Sequence, residues 1–161
     1  MSSKLFTHVT KDGGVTLQIR KVSPLVATEI RKKFPAPRPP MTKVDYGDGN
    51  FEMEPNPDHP SHKIALEDYQ LMLEEKVRRA YLKLGCIAVP DLEQVKNTRV
   101  AMDEIGIDLS ADSDEFVFIN YCAVSSAEDY NDLIQAIINR SVPTEADIKA
   151  ASDTFQPDIQ G

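Results

Sequence analysis

The chain has 161 residues, enough for one domain with its own core, and carries a formal net charge of −8. An acidic chain without a basic cluster is a poor ligand for nucleic acid, because the phosphates would repel it. No apolar run approaches the ~20 residues that span a bilayer, and the N-terminus lacks a signal-peptide core. We therefore expect a cytoplasmic protein, with Cys86 and Cys122 as reduced, isolated thiols.

The first predicted element is a β-hairpin. Residues 4–9 and 15–22 are rich in strand-forming side chains, and Gly13 and Gly14 between them suit a tight turn. Ser23 and Pro24 then provide an N-cap and a first helical residue for a short helix. This helix should end before Pro35, since the residue preceding a proline avoids the α region.

A proline-rich arm follows at residues 35–60. Its first part, residues 35–40, is expected to be extended, either as a stiff spacer or as a ligand for an aromatic groove. Residues 41–46 and 50–54 flank the sequence Gly47-Asp-Gly49 and predict a second hairpin. An isolated two-stranded hairpin is marginal in water, so this one should dock on the protein itself or on a partner.

The most regular pattern in the chain is a long helix over residues 61–84. It contains no Gly or Pro, and Gly85 follows as a C-cap. Three apolar residues, Ile64, Leu71 and Leu82, lie off its main stripe. They indicate either a second neighbour within the fold or a face offered to another chain. The main stripe recurs at helical spacing at Leu66, Tyr69, Leu73, Val77, Ala80 and Leu84.

Further helices are predicted over residues 92–105, 125–139 and 144–155, followed by a loose tail at 157–161. The second of these regions begins with the capping-box sequence Ser125-Ser-Ala-Glu128. Residues 115–124 fit either a strand or a helix, and their helical neighbours favour a helix.

The predicted fold class is therefore α+β and mainly α. It has N-terminal hairpins with a proline-rich arm, then a bundle of four to five helices that includes the long one. The expected segments are residues 1–34, 35–60, 61–156 and 157–161.

No pattern typical of catalysis is present. His59 and His62 lie near Glu54 and Asp58, but two imidazoles among prolines are better explained as a helix start than as a metal site. The spacing of acidic residues around Gly47 and Gly49 lacks the glutamate that closes a calcium loop. Phosphate-binding and nucleophile motifs do not occur. We expect a non-enzyme without metal or cofactor.

Several motifs resemble one family. The proline arm, the Glu54-Pro-Asn-Pro-Asp-His-Pro60 link and the Ala65-Leu-x-x-Tyr69 helix start are similar to those of tail assembly chaperones of long-tailed bacteriophages. The Ser125-Ser-Ala-Glu-Asp-Tyr130 segment, with Arg140-Ser-Val-Pro-Thr-Glu145 and Phe155, is also similar to that group. Together these motifs cover about half of the chain and carry no catalytic residue.

The resemblance implies a non-enzymatic function in the host cell cytoplasm. Such chaperones bind the long helical tape measure protein, keep it soluble and help recruit tail tube subunits before leaving the tail. An acidic helical protein with a spare apolar face suits this task. The candidate contacts are therefore the off-stripe residues and the arm, and self-association is a further expectation. The candidate residues are Ile64, Leu71, Leu82, Pro37, Pro39 and Pro40.

Other functions are compatible with the same sequence. A structural virion component, such as a tail completion or adaptor subunit, would use the arm for permanent locking. A phage-encoded regulator or inhibitor would instead bind a host or rival protein, for which the acidic composition is suited. An enzyme would require a compact polar pocket that no motif announces.

Overall fold

The computed structural model describes residues 4–142 and has a mainly α, α+β fold with an N-terminal hairpin, as predicted. The predicted helix at 144–155 and tail at 157–161 lie outside the described residues. No helix within residues 4–142 is long and apolar enough to cross a bilayer. The strands are β1 (Phe6–Val9), β2 (Thr16–Ile19), β3 (Met41–Gly47), β4 (Asn50–Pro55) and β5 (Cys86–Ile87); the helices are α1 (Leu25–Lys33), α2 (Pro60–Gly85), α3 (Leu92–Glu104), α4 (Asp114–Val117) and α5 (Ala127–Ser141).

The chain forms two compact units. The continuous unit is Leu25–Arg79 and contains α1, β3, β4 and most of α2. The discontinuous unit combines Met1–Pro24 with Ala80–Gly161. The long helix α2 therefore belongs to the continuous unit up to Arg79 and to the discontinuous unit afterwards. These units group the chain differently from the segments expected from the sequence.

The discontinuous unit contains a three-stranded antiparallel sheet in the order β1-β2-β5. Leu17 and Ile19 of β2 are buried, whereas Thr16 and Gln18 are not, so one face of the strand meets the core. Strand β5 pairs with β2 through Cys86 opposite Ile19. The sequence did not predict this strand, because a two-residue strand is too short to show any alternation.

Residues 114–123 are helical, which confirms the helix favoured for this region. The side chain of Ser113 accepts a hydrogen bond from the Phe116 amide and begins α4. A π-helical segment, Phe118–Ala123, continues it. The strand-like composition has a simple cause: this segment lies in the core, so apolar side chains occur around it and not on one stripe. Its buried residues are Phe116, Val117, Phe118, Ile119 and Ala123.

Helix α5 is amphipathic and buries Leu133, Ile134 and Ile137. Its N-cap is Ser126, whose Oγ accepts a hydrogen bond from the Asp129 amide at 3.1 Å. The N-cap is therefore one residue later than Ser125, the first residue of the predicted capping box.

The carboxylate of Asp129 joins α5 to the turn between β1 and β2. It is fully buried and accepts hydrogen bonds from the amides of Asp12 and Gly13, each at 2.9 Å. It also accepts from the amide and hydroxyl of Ser125 at 3.3 and 3.2 Å. The approach is close: a Cβ added at Gly13 would lie 2.4 Å from the carbonyl oxygen of Ala123. Glycine is thus required at this turn.

Candidate interaction surface

In the continuous unit, α1 is fixed to α2 through Phe34, the residue that follows α1. The hydroxyl of Tyr69 on α2 donates to the Phe34 carbonyl at 2.7 Å. The ammonium group of Lys76, two turns further on, lies 4.3 Å from the centre of the Phe34 ring. These contacts use the side of α2 that carries the predicted main stripe, and they leave the opposite side of α2 free of α1.

Strands β3 and β4 form a separate two-stranded sheet. The turn uses positive φ angles at Gly47, Asp48 and Gly49, as the glycine-flanked sequence predicts. The Asp45 carboxylate accepts a hydrogen bond from the Gly47 amide at 2.8 Å. At the open end, the Asn56 amide donates to the Pro40 carbonyl at 2.9 Å. The hairpin is closed at both ends by its own hydrogen bonds.

One face of this hairpin is apolar and exposed. The register places Lys43 opposite Met53 and Asp45 opposite Phe51, so these side chains share a face with Met41. Met41, Phe51 and Met53 are each more than half exposed. On the other face Thr42 and Val44 are half-buried.

The Lys43 ammonium lies 3.6 Å from the centre of the Phe51 ring and covers part of the apolar face. On the other face, the Tyr46 hydroxyl donates to the Glu54 carboxylate, which raises the pKa of Tyr46. The methionine and phenylalanine side chains remain open to a partner, and methionine adapts well to irregular apolar ligands.

The outer face of α2 is also open. Ile64 and Leu71, seven residues apart, are 60% and 67% exposed. Leu82, in contrast, is 0% exposed and belongs to the core of the discontinuous unit, so its assignment to a partner-binding face is wrong. Five turns separate Ile64 from Leu82, so both lie on the same side of the helix. That side of α2 is therefore exposed at Ile64 and Leu71 and buried at Leu82.

The proline residues of the arm are only partly available. Pro37, Pro39 and Pro40 are half-buried, whereas Pro35 and Arg38 are exposed. Residues 35–40 form neither helix nor strand. The structure thus places the three candidate prolines beside the hairpin in the chain, with part of their surface already covered.

The charge of the protein is concentrated in the same region. Residues 41–75 contain two lysines and nine carboxylates, a formal net charge of −7 out of −8 for the whole chain. On α2 four of these carboxylates are exposed, and within residues 4–142 none of the four forms a salt bridge. They are Glu67, Asp68, Glu74 and Glu75.

Several titratable groups outside this region have structural partners. Arg99 donates to the carbonyls of Leu109 and Asp112 at 2.6 and 2.7 Å, and to Asp114 at 2.9 Å, which fixes the loop before α4. Burial raises the pKa of the Cys86 thiol to about 12. No group of three or more histidine, cysteine or acidic side chains within the described residues is arranged to hold a metal ion.

Sequence reasoning named Ile64 and Leu71 but missed the hairpin residues Met41, Phe51 and Met53. The signal was available, because the glycine turn fixes the pairing of the strands. Pairing residue 45 with 51 and residue 43 with 53 places the phenylalanine and both methionines on one face.

Comparisons with known proteins find no matching family model, no matching curated protein and no matching solved structure.

Proposed function

We propose that this protein is a non-enzymatic tail assembly chaperone that binds the phage tape measure protein and helps to recruit tail tube subunits. The observation that carries the proposal is the exposure of large apolar side chains on two elements of one unit, the β3–β4 hairpin and the outer face of α2. Exposed apolar side chains grouped on one element of a small protein can mark a binding site for another polypeptide.

The hairpin supports this proposal because it is expected to be only marginally stable by itself. A two-stranded sheet with an open apolar face is marginal in water and gains stability when a partner covers that face. The helix supports it through its geometry, since Ile64 and Leu71 present apolar side chains two turns apart along one line. A long helical partner such as a tape measure protein offers the apolar stripe that such a line accommodates.

The test is capture of tape measure fragments encoded by the same genome, using the full-length purified protein. We expect the wild type to bind at least one fragment and keep it in solution. Leu71→Asp and Phe51→Asp should each weaken binding by about tenfold or more, because each inserts a charge into an apolar contact. Val100→Asp is the matched control, since Val100 is an exposed apolar residue on α3 of the other unit.

Two outcomes would contradict the proposal. If the wild type binds neither tape measure fragments nor tube subunits, the chaperone function is wrong. Mass spectrometry of purified particles provides the second outcome: a stoichiometric amount of this chain in mature particles would identify a structural tail subunit. If Leu71→Asp and Phe51→Asp bind like the wild type, the two faces are not the binding surface.

A further inference from the structure

The outer face of α2 has a defined chemical pattern beyond its two apolar side chains. Helical geometry places Asp68 and Glu75 along one side of the line from Ile64 to Leu71. Glu67 and Glu74 lie along the other side. All six side chains are exposed. The face is therefore a narrow apolar line between two acidic rows.

Basic residues lie near the acidic rows on the same helix, since Lys63, Arg78 and Arg79 are each four residues from one of the carboxylates. None of the four carboxylates forms a salt bridge within residues 4–142, and the surrounding segment 41–75 has a formal net charge of −7. Charges that flank an apolar seam select a helical partner by sign, as the flanking positions of coiled coils do. A partner with lysine or arginine beside its apolar residues removes the repulsion between the rows.

We infer that this face binds a cationic amphipathic helix, with apolar residues against Ile64 and Leu71 and basic residues against the two acidic rows. The inference rests on the proposed function and specifies the class of partner segment for that surface. A second copy of this chain is a poor occupant, because its own four carboxylates would oppose the same four. Anionic lipid and nucleic acid are disfavoured for the same reason.

Two synthetic peptides test whether the surface selects a partner by the sign of its charge. Each has about 20 residues, a length at which an isolated helix begins to be stable. Both carry leucine at a seven-residue repeat; one has lysine and the other glutamate at the flanking positions. Fluorescence anisotropy with the full-length protein should show that the lysine peptide binds about tenfold or more tightly at low salt. Its advantage should shrink near 1 M salt, where the screening length is about 3 Å.

A variant with neutral rows locates the effect. The quadruple change Glu67→Gln, Asp68→Asn, Glu74→Gln and Glu75→Gln should weaken lysine-peptide binding by about tenfold. The matched control removes four exposed carboxylates from the other unit through Glu93→Gln, Asp103→Asn, Glu104→Gln and Asp132→Asn, and should change binding by about twofold or less. Circular dichroism and urea unfolding verify that both variants fold.

The outcomes separate this inference from the proposed function. Equal binding of both peptides, or equal loss in both quadruple variants, would overturn the inference, because net charge alone would then explain the result. Tape measure capture that survives neutral rows but not Leu71→Asp would also overturn it and leave the proposed function intact. Lysine-peptide binding that needs the rows, with no capture of any tail protein, would support the inference and overturn the proposed function. A dimer that Leu71→Asp dissociates would assign the face to self-association and contradict the inference.

Discussion

A single buried carboxylate, Asp129, connects residues that are 117 positions apart in the chain. It accepts four hydrogen bonds from the β1–β2 turn and from Ser125. The turn can approach this closely because Gly13, which has no side chain, lies against Ala123. The hydrogen bond from the Asp12 amide is the main cause that lowers the pKa of Asp129, and the amides of Gly13 and Ser125 add to it.

This lowered pKa predicts acid sensitivity. The unfolded chain has the ordinary aspartate pKa of about 3.9, so the contribution of Asp129 is complete well above pH 4. It is lost as the pH falls below that value and through the lower pKa of the folded state. We expect Asp129→Asn to be less stable than the wild type at pH 6, because an amide nitrogen would face donors. Its free energy of unfolding should also fall less steeply on acidification, as measured by urea denaturation.

The matched control for this measurement is Asp132→Asn, which changes an exposed carboxylate on the same helix. It should follow the wild type at both neutral and acidic pH. If Asp129→Asn and the wild type lose stability in parallel between pH 6 and about pH 3, the acid sensitivity arises elsewhere in the chain.

Leu82 and Leu71 provide a second comparison between single residues. Leu82→Ala should lower the free energy of unfolding by about 2–5 kcal/mol, because it leaves a cavity in the core. Leu71→Ala should change it by about 0.5 kcal/mol or less, since Leu71 is exposed. Urea denaturation of both variants measures the difference, and similar losses in the two would contradict the placement of Leu82 in the core and Leu71 outside it.

At the scale of the elements, the two sheets differ in how many of their side chains are buried. Strands β1, β2 and β5 form three strands with Leu17, Ile19 and Cys86 buried, whereas β3 and β4 form two strands with no fully buried side chain in either. Local stability follows the amount of buried apolar contact. The hairpin is therefore expected to open more readily than the three-stranded sheet.

Hydrogen exchange tests this difference. Amides paired between β3 and β4 should exchange faster than those between β1 and β2, because fewer apolar contacts are lost when the hairpin opens. Binding of a tape measure fragment should slow exchange in the hairpin if its apolar face becomes covered. Equal protection of both sheets in the free protein would contradict the expectation.

The elements also show what the sequence alone determines. The glycine turns and the long periodic helix were predictable, because each depends on local geometry and not on distant neighbours. Strand β5 was not, since two residues acquire strand geometry only by pairing with β2. The secondary structure of residues 115–124, which include the π-helical segment, was ambiguous because a buried helix can have the composition of a strand.

At the scale of the whole molecule, dependence on distant neighbours also explains why the candidate surface was only partly predicted. Periodicity places Ile64, Leu71 and Leu82 on one side of α2, and this is correct. It does not indicate how much of that side has neighbours, and the structure leaves the first two exposed and buries the third. Predicting that Met41, Phe51 and Met53 share one face of the hairpin requires the register of β3 and β4. The glycine turn gives that register once the two strands are assumed to pair.

The discontinuous unit has a consequence for synthesis on the ribosome. The β1–β2 turn leaves the ribosome first, but its partner Asp129 is added 117 residues later. At about 5–20 residues per second, the delay is roughly 6–23 s. Within that interval Leu25–Arg79, which is continuous in sequence, becomes the first unit whose residues are all present. The surface proposed to bind other polypeptides is thus translated in full before the rest of the molecule can close.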